Sequence, residues 1–180
     1  MVIIAAVWVE ENKFKKNDFK KKTPETTSLL GQPPPQQADY FMENYTIISA
    51  DAKGQPFRWL SGNRLTHYSN QYTALTQPKL QLSIDKQHWL LLAKSGHINK
   101  NQKIELDGNV NIQQLNGKEK SLVVKTEHLD VSLSDNTAST KHKVYVNNEN
   151  GEVNAVGMSI NFDQHQLRLL SNVKGHYVFD

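Results

Sequence analysis

A hydrophobic beat recurs four times along this chain and constrains its fold more than any other feature. Each copy has two apolar or Thr positions two apart, a three-residue gap, then two more positions two apart. The copies are Ala74-x-Thr76-xxx-Leu80-x-Leu82, Ile104-x-Leu106-xxx-Val110-x-Ile112, Ala138-x-Thr140-xxx-Val144-x-Val146 and Leu167-x-Leu169-xxx-Val173-x-Gly175. Their starts lie 30, 34 and 29 residues apart. Side chains two apart share one face of a pleated ribbon, so each copy reads as strand, bend, strand. A β unit of this kind cannot bury its apolar face alone. Successive units must stack into one elongated sheet pair with a long inner surface.

The 180 residues allow one domain plus an appendage. Apolar residues make up only 37% of the chain, which suits many short strands with one wet face. Cysteine is absent, which excludes disulfide scaffolds, zinc fingers and thiol catalysis. The net charge of +3 is no nucleic-acid signature, because most of it lies outside the β-patterned part. Through residue 38, Lys13, Lys15, Lys16, Lys20, Lys21 and Lys22 face Glu10, Glu11, Asp18 and Glu25. The remainder shows no basic stripe interleaved with aromatics.

Met1 to Val9 is wholly apolar. Nine helical residues span about 13 Å, under half of a bilayer core, so the stretch is not a complete membrane span. It has no basic region before it and no small-x-small site after it, unlike a signal peptide. Two readings follow from the residues: the outward end of a span with Trp8 at the interface, or an apolar terminus with no membrane role. The lysines that follow disfavour the first, since such residues mark the cytoplasmic side. Residues 10–38, Lys-rich and ending in Pro33-Pro34-Pro35, read as a flexible tether. The folded domain is expected over residues 39–180.

There the punctuation is all β. Apolar runs such as Tyr45 to Ile48, Trp89 to Ala93 and Met158 to Phe162 alternate with turn clusters such as Asp51-Ala52-Lys53-Gly54 and Asn148-Glu149-Asn150-Gly151. No long window keeps helical spacing. The pattern predicts an antiparallel all-β domain of about 13 to 16 short strands in two facing sheets.

Catalytic and metal motifs are missing. The seven histidines (His67, His88, His97, His128, His142, His165, His176) stand singly, without metal-ligand spacing. Glu127 and His128 are adjacent, which on a regular strand sends them to opposite faces. Glu105 and Asp107 share a face, but flanking Ile104 and Leu106 they read as the solvent side of an alternating strand. No Gly-rich phosphate loop or nucleophile elbow occurs. No cofactor, no metal and no enzymatic activity are expected.

At Tyr40-Phe41-Met42-Glu43-Asn44-Tyr45-Thr46, Leu75-Thr76-Gln77-Pro78, Asn154-Ala155-Val156-Gly157-Met158 and the closing Leu169-Leu170-Ser171-Asn172-Val173-Lys174-Gly175-His176-Tyr177, the chain resembles the LptC family. The Ala-x-x-Gly-x-Ile element from Ala93 to Ile98 falls in the family's order too. The resemblance covers about residues 39–179. It implies an open, twisted antiparallel β-jellyroll of the OstA/LptA kind and a single N-terminal membrane helix. It thus favours reading residues 1–9 as the end of such a helix, although this sequence holds only that end and departs from the pattern in its lysine-rich tether.

The implied role is non-enzymatic: lipopolysaccharide is received from the inner-membrane ABC transporter of LptB, LptF and LptG and passed to LptA in the periplasm. The N-terminal edge (Tyr40, Phe41, Tyr45, Ile48) would pair with LptF and the C-terminal edge (Asn172, Val173, Tyr177, Phe179) with LptA. Tyr45, Ile47, Leu75, Leu80, Leu82, Leu106, Ile112, Leu133, Ile160 and Leu167 would line a lipid trough. Gly151 and Gly157 read as turn or bulge glycines where a bulky replacement disturbs edge pairing. The competing readings are a soluble LptA-like bridge without an anchor, and a closed β-sandwich carbohydrate-binding or structural module. The latter wants an aromatic platform, which Trp8, Trp59 and Trp89 do not form by spacing.

Overall fold

A computed structural model of the chain describes residues 5–7, 38–69, 71–101, 103–116 and 119–177. Apart from Ala5–Val7, the expected membrane-helix end and tether lie outside these residues, as does Phe179. Among the described residues, twelve strands form one continuous antiparallel sheet. They are β1 (Ala5–Val7), β2 (Ala38–Ala50), β3 (Pro56–Tyr68), β4 (Tyr72–Thr76), β5 (Lys79–Ile84), β6 (Gln87–Leu92), β7 (Ser95–Ile98), β8 (Lys103–Asn116), β9 (Glu119–Ser132), β10 (Thr137–Asn148), β11 (Gly151–Asn161) and β12 (Gln166–Tyr177). The all-β, jellyroll-like class is as the sequence predicts. The strands are fewer and longer than predicted, up to 14 residues, because they bend without ending.

Residues able to take a left-handed backbone produce the bends. Asn44 (φ 48°), Gly108 (φ 76°), Asn109 (φ 50°), Gly157 (φ 79°) and Asn172 (φ 50°) sit in the middle of their strands. Asn and Gly tolerate that region, where bulkier residues are strained. The ladders slip beside two of these places, between Asp107 and Val110 and between Asn154 and Val156, and also between Thr140 and Lys143. Such bulges bend a strand and increase its twist.

Each long strand therefore belongs to two half-sheets. In the first, residues 58–61 of β3 pair with β5, β5 with β6, and β6 with the second part of β8. In the second, residues 64–68 of β3 pair with β4, β4 with β7, and β7 with the first part of β8. Their inner faces enclose one apolar cluster that runs from Tyr45 to Phe162. Hairpin turns close the ends of both half-sheets. The Asp51 carboxylate accepts from the backbone N–H of Lys53 and Gln55, and the Asn99 side-chain carbonyl does the same for Asn101 and Lys103.

The four-fold beat has three outcomes. In β8 and β10 every marked position is buried: Ile104, Leu106, Val110 and Ile112, then Ala138, Thr140, Val144 and Val146. The first copy is out of phase. Leu75, not Ala74 or Thr76, is buried, because the chain crosses between half-sheets at Gln77 (φ 49°) and Pro78. The fourth copy lies on the edge strand β12 and leaves Val173 exposed.

Ala5–Val7, assigned from sequence to the end of a helix, is here an edge strand on Ile47 to Ser49 of β2. An open strand edge presents unpaired N–H and C=O groups that an extended segment satisfies. Among the described residues no helix is long and apolar enough to cross a membrane.

Candidate functional site: the apolar interior and its edges

All ten residues expected to line a trough face the same interior. Tyr45, Leu75, Leu80, Leu82, Leu106, Ile112 and Ile160 are buried in the cluster, and Ile47, Leu133 and Leu167 pack against it half-buried. Alternation accounts for the placement: residues 80 and 82, or 104 and 106, fall two apart on one pleat. The interior is filled in this state, with Leu80, Leu91, Ile104 and Leu106 at 0% exposure.

Tyr45 is the one phenol in that core. Its hydroxyl is buried without a hydrogen-bond partner, and burial pushes its pKa up to about 12. Gly62 makes room for it: a Cβ there would lie 2.8 Å from the Tyr45 hydroxyl and 2.9 Å from the Thr76 carbonyl oxygen.

Near the turns, polar and aromatic groups tie the half-sheets together. Arg58 shares an inward face with Leu60, and its Nη2 donates to the Leu133 carbonyl of the opposite half at 3.0 Å. Trp89, on β6, meets Phe162, at the turn after β11, edge-on with ring centres 5.1 Å apart. Gln114 Nε2 donates to Gln87 Oε1 at 2.8 Å along the same margin.

β2, next to the short β1, and the terminal strand β12 differ. On β2, Tyr40 stacks on His67 at 4.9 Å and the Arg64 guanidinium sits 4.2 Å over the Phe41 ring. Tyr45 points into the core rather than along the edge, and Ile48 is opposite Ala6 of β1. On β12, one side pairs with β11 and no strand among the described residues covers the other. Asn172 takes the left-handed bend, Val173 is exposed, and Tyr177 is in register with Gly151 (φ 151°). Gly157 (φ 79°) lies against the strand edge: a Cβ there would meet Leu170 Cδ1 at 2.9 Å.

A family model described as "LptC: Lipopolysaccharide-assembly, LptC-related" matches residues 2–178. The chain belongs to the LptC family. Membership makes it an envelope component of lipopolysaccharide transport, within a family of transport and bridge proteins rather than of known enzymes. A search of curated proteins finds no match.

The outer face of this LptC-family jellyroll holds what linear spacing hid. His97 Nε2 lies 3.0 Å from Glu105, and His128 bridges Asp107 at 2.6 Å and Asp130 at 3.3 Å. The hydrogen bond to Asp107 is the main cause that raises the His128 pKa. The solvent-face carboxylates Glu105 and Asp107 are thus each engaged by a histidine from a neighbouring strand. Glu105, His128 and Asp130 bring ligand atoms within 4.8 Å of one another. Glu127 and His128 do not take opposite faces as expected. Both leave the core, because the bend between buried Thr126 and buried Leu129 shifts the alternation. Two shallow concavities of about 540 and 710 Å³ also lie on this outer side, sharing Asn111, Lys125 and Tyr145 in their linings.

Proposed function

We propose that this chain is the non-enzymatic lipopolysaccharide-binding link between the LptB, LptF and LptG transporter and LptA, held on the inner membrane by a single N-terminal helix with the jellyroll in the periplasm. The observation that carries this reading is the convergence of the ten alternating residues, from Tyr45 to Leu167, on one apolar interior along the whole sheet. An acyl chain of a dozen methylenes costs on the order of 10 kcal/mol to expose to water, at about 0.8 kcal/mol per CH₂. An interior walled by Leu75, Leu80, Leu82, Leu106, Ile112 and Ile160 offsets that cost once the half-sheets part, while sugars and phosphates stay in water. The uncovered side of β12 offers backbone groups for strand addition by LptA. The β2 edge around Tyr40 and Phe41 would receive LptF.

A photo-reactive amino acid at Leu75, with Glu149 in an exposed turn as control, tests the reading in cells. An adduct containing lipopolysaccharide at Leu75 alone supports the trough. Abundant folded protein without such an adduct removes it. One observation favours a second reading, a closed β-sandwich module: the interior is filled and the concavities lie outside, around Asn111, Lys125 and Tyr145. That module would bind soluble glycans at Tyr145, and Tyr145→Ala would abolish the binding while Leu75 substitutions left it intact.

A further inference from the structure

Arg58 is a cation on the inner face of an apolar jellyroll. Its rung in the first half-sheet runs Ser49, Arg58, Leu82, Trp89 and Gln114 across five strands, close to the turns. Among the described residues, only the Leu133 carbonyl, a neutral acceptor, is hydrogen-bonded to it. Its Nε is buried without a partner. No carboxylate among the described residues forms an ion pair with it. The Phe57 ring lies 5.1 Å from its guanidinium carbon, and burial holds its pKa below the usual range.

Stripping water from a guanidinium is costly unless an anion takes its place. An arginine also presents a planar fork of donors that fits two oxygens of a phosphate side by side. Here the fork is spent on one carbonyl of the opposite half-sheet. The tie is therefore weak in a specific way: an arriving phosphate oxygen makes a stronger, charge-assisted bond than the carbonyl it replaces. Trp89 against Phe162 is the apolar part of the same closure, and its indole N–H is also buried without a partner.

We propose that Arg58 is a phosphate-binding latch at the margin of the interior: it holds the half-sheets together through Leu133 until a phosphorylated lipid headgroup takes the guanidinium, and that exchange frees the margin for the acyl chains. The proposal rests on the trough reading above and adds the group that recognises the headgroup. It assigns opening to the cargo itself. A neutral acyl lipid finds the latch closed, whereas a phosphorylated one releases it.

The test measures binding of detergent-dispersed lipopolysaccharide, of the same material stripped of phosphate, and of inorganic phosphate to the full chain, as wild type, Arg58→Gln and Arg58→Lys. Arg58→Gln should weaken binding of the phosphorylated lipid about tenfold, the loss of one charge-assisted contact, and leave the stripped lipid unchanged or tighter. Arg58→Lys, which keeps charge without the fork, should fall between and keeps the test alive should Arg58→Gln not fold. Equal weakening of both lipids, or no change in either, overturns the latch and leaves the trough standing. Binding of inorganic phosphate at concentrations matching the lipid makes Arg58 a simple anion site and overturns the headgroup assignment. Failure of the wild type to bind either lipid overturns the trough reading itself.

Discussion

Strands β8 and β12 carry the same hydrophobic beat and meet opposite fates. Ile104, Leu106, Val110 and Ile112 on β8 are all at 0% exposure. The matching places on β12 are half-buried at Leu167 and Leu169 and open to solvent at Val173 and Gly175. Both strands bend at a left-handed residue, Asn109 in one and Asn172 in the other. The beat thus encodes the local shape, a strand that turns from one half-sheet to the other. Burial depends on neighbours: β8 has strands on both sides, and among the described residues β12 has β11 on one side only. The same bend geometry is therefore present on β12 without the second neighbour that buries it on β8.

The sharpest way to break this comparison is to truncate the same beat at both places. Leu106→Ala on β8 should destabilise the domain by about 3 kcal/mol, the transfer loss plus the cavity left in a packed interior. Leu169→Ala on β12, half-exposed, should cost about 1 kcal/mol or less. Denaturant midpoints of the two variants decide it; equal losses would mean that β12 is as deeply packed as β8.

A smaller effect separates bend from burial. Gly157→Ala places a Cβ at φ 79° and 2.9 Å from Leu170 Cδ1, on a residue that is itself buried beside the edge strand. The strain is about 1–2 kcal/mol for the left-handed backbone alone. The expected signature in hydrogen exchange is selective: faster exchange along β11 and β12, with β8 and β9 unchanged. Uniform acceleration would show that the bends do not act one strand pair at a time.

Much of this architecture was legible before any pairing was known, and the gaps have physical causes. Alternation exposes the inner faces of β5, β8, β10 and β11, and composition marks the turn at Asp51. Alternation lost its phase wherever the chain crossed between half-sheets. It therefore placed Ala74 and Thr76 inside in place of Leu75, and sent Glu127 and His128 to opposite faces. The histidine and carboxylate ladder of β7, β8 and β9 was invisible because its members lie up to 33 residues apart (His97 to Asp130) and meet only through register. Arg58 was different. Its two-residue spacing from Leu60 puts it on the inward face, where alternation alone does not lead one to expect a cation.

That ladder, centred on His128 of β9, gives the outer face a weaker pH-dependent contribution. The His128 pKa is raised in the fold, chiefly by the hydrogen bond to Asp107, with Asp130 on its other nitrogen and His142 tilted 5.4 Å away. A histidine with a raised folded pKa lends stability that is fully present below its unfolded value, about 6.5, and is lost as pH rises through the folded value. The wild type should therefore lose an increment of stability as pH rises from about 6.5 through the raised folded value, and His128→Gln should not. Parallel pH profiles for wild type and His128→Gln would remove the ladder as a stabilising feature.

The smallest expected stability change carries the largest functional consequence. Val173 is 54% exposed on the uncovered strand, so Val173→Lys should alter the denaturant midpoint by no more than about 0.5 kcal/mol. A lysine on a free edge is, however, a common barrier to strand addition, because the incoming strand must bury or displace the charge. If β12 is the growing end of the sheet, Val173→Lys should sharply reduce capture of LptA from solution while leaving the isolated domain as stable as before. The same substitution in place of Tyr145, on the outer face of β10 and equally exposed at 56%, should leave capture intact. Loss of capture in the Tyr145 variant, or none in the Val173 variant, would move the joint away from β12 and break the link between the unfinished beat and the bridge.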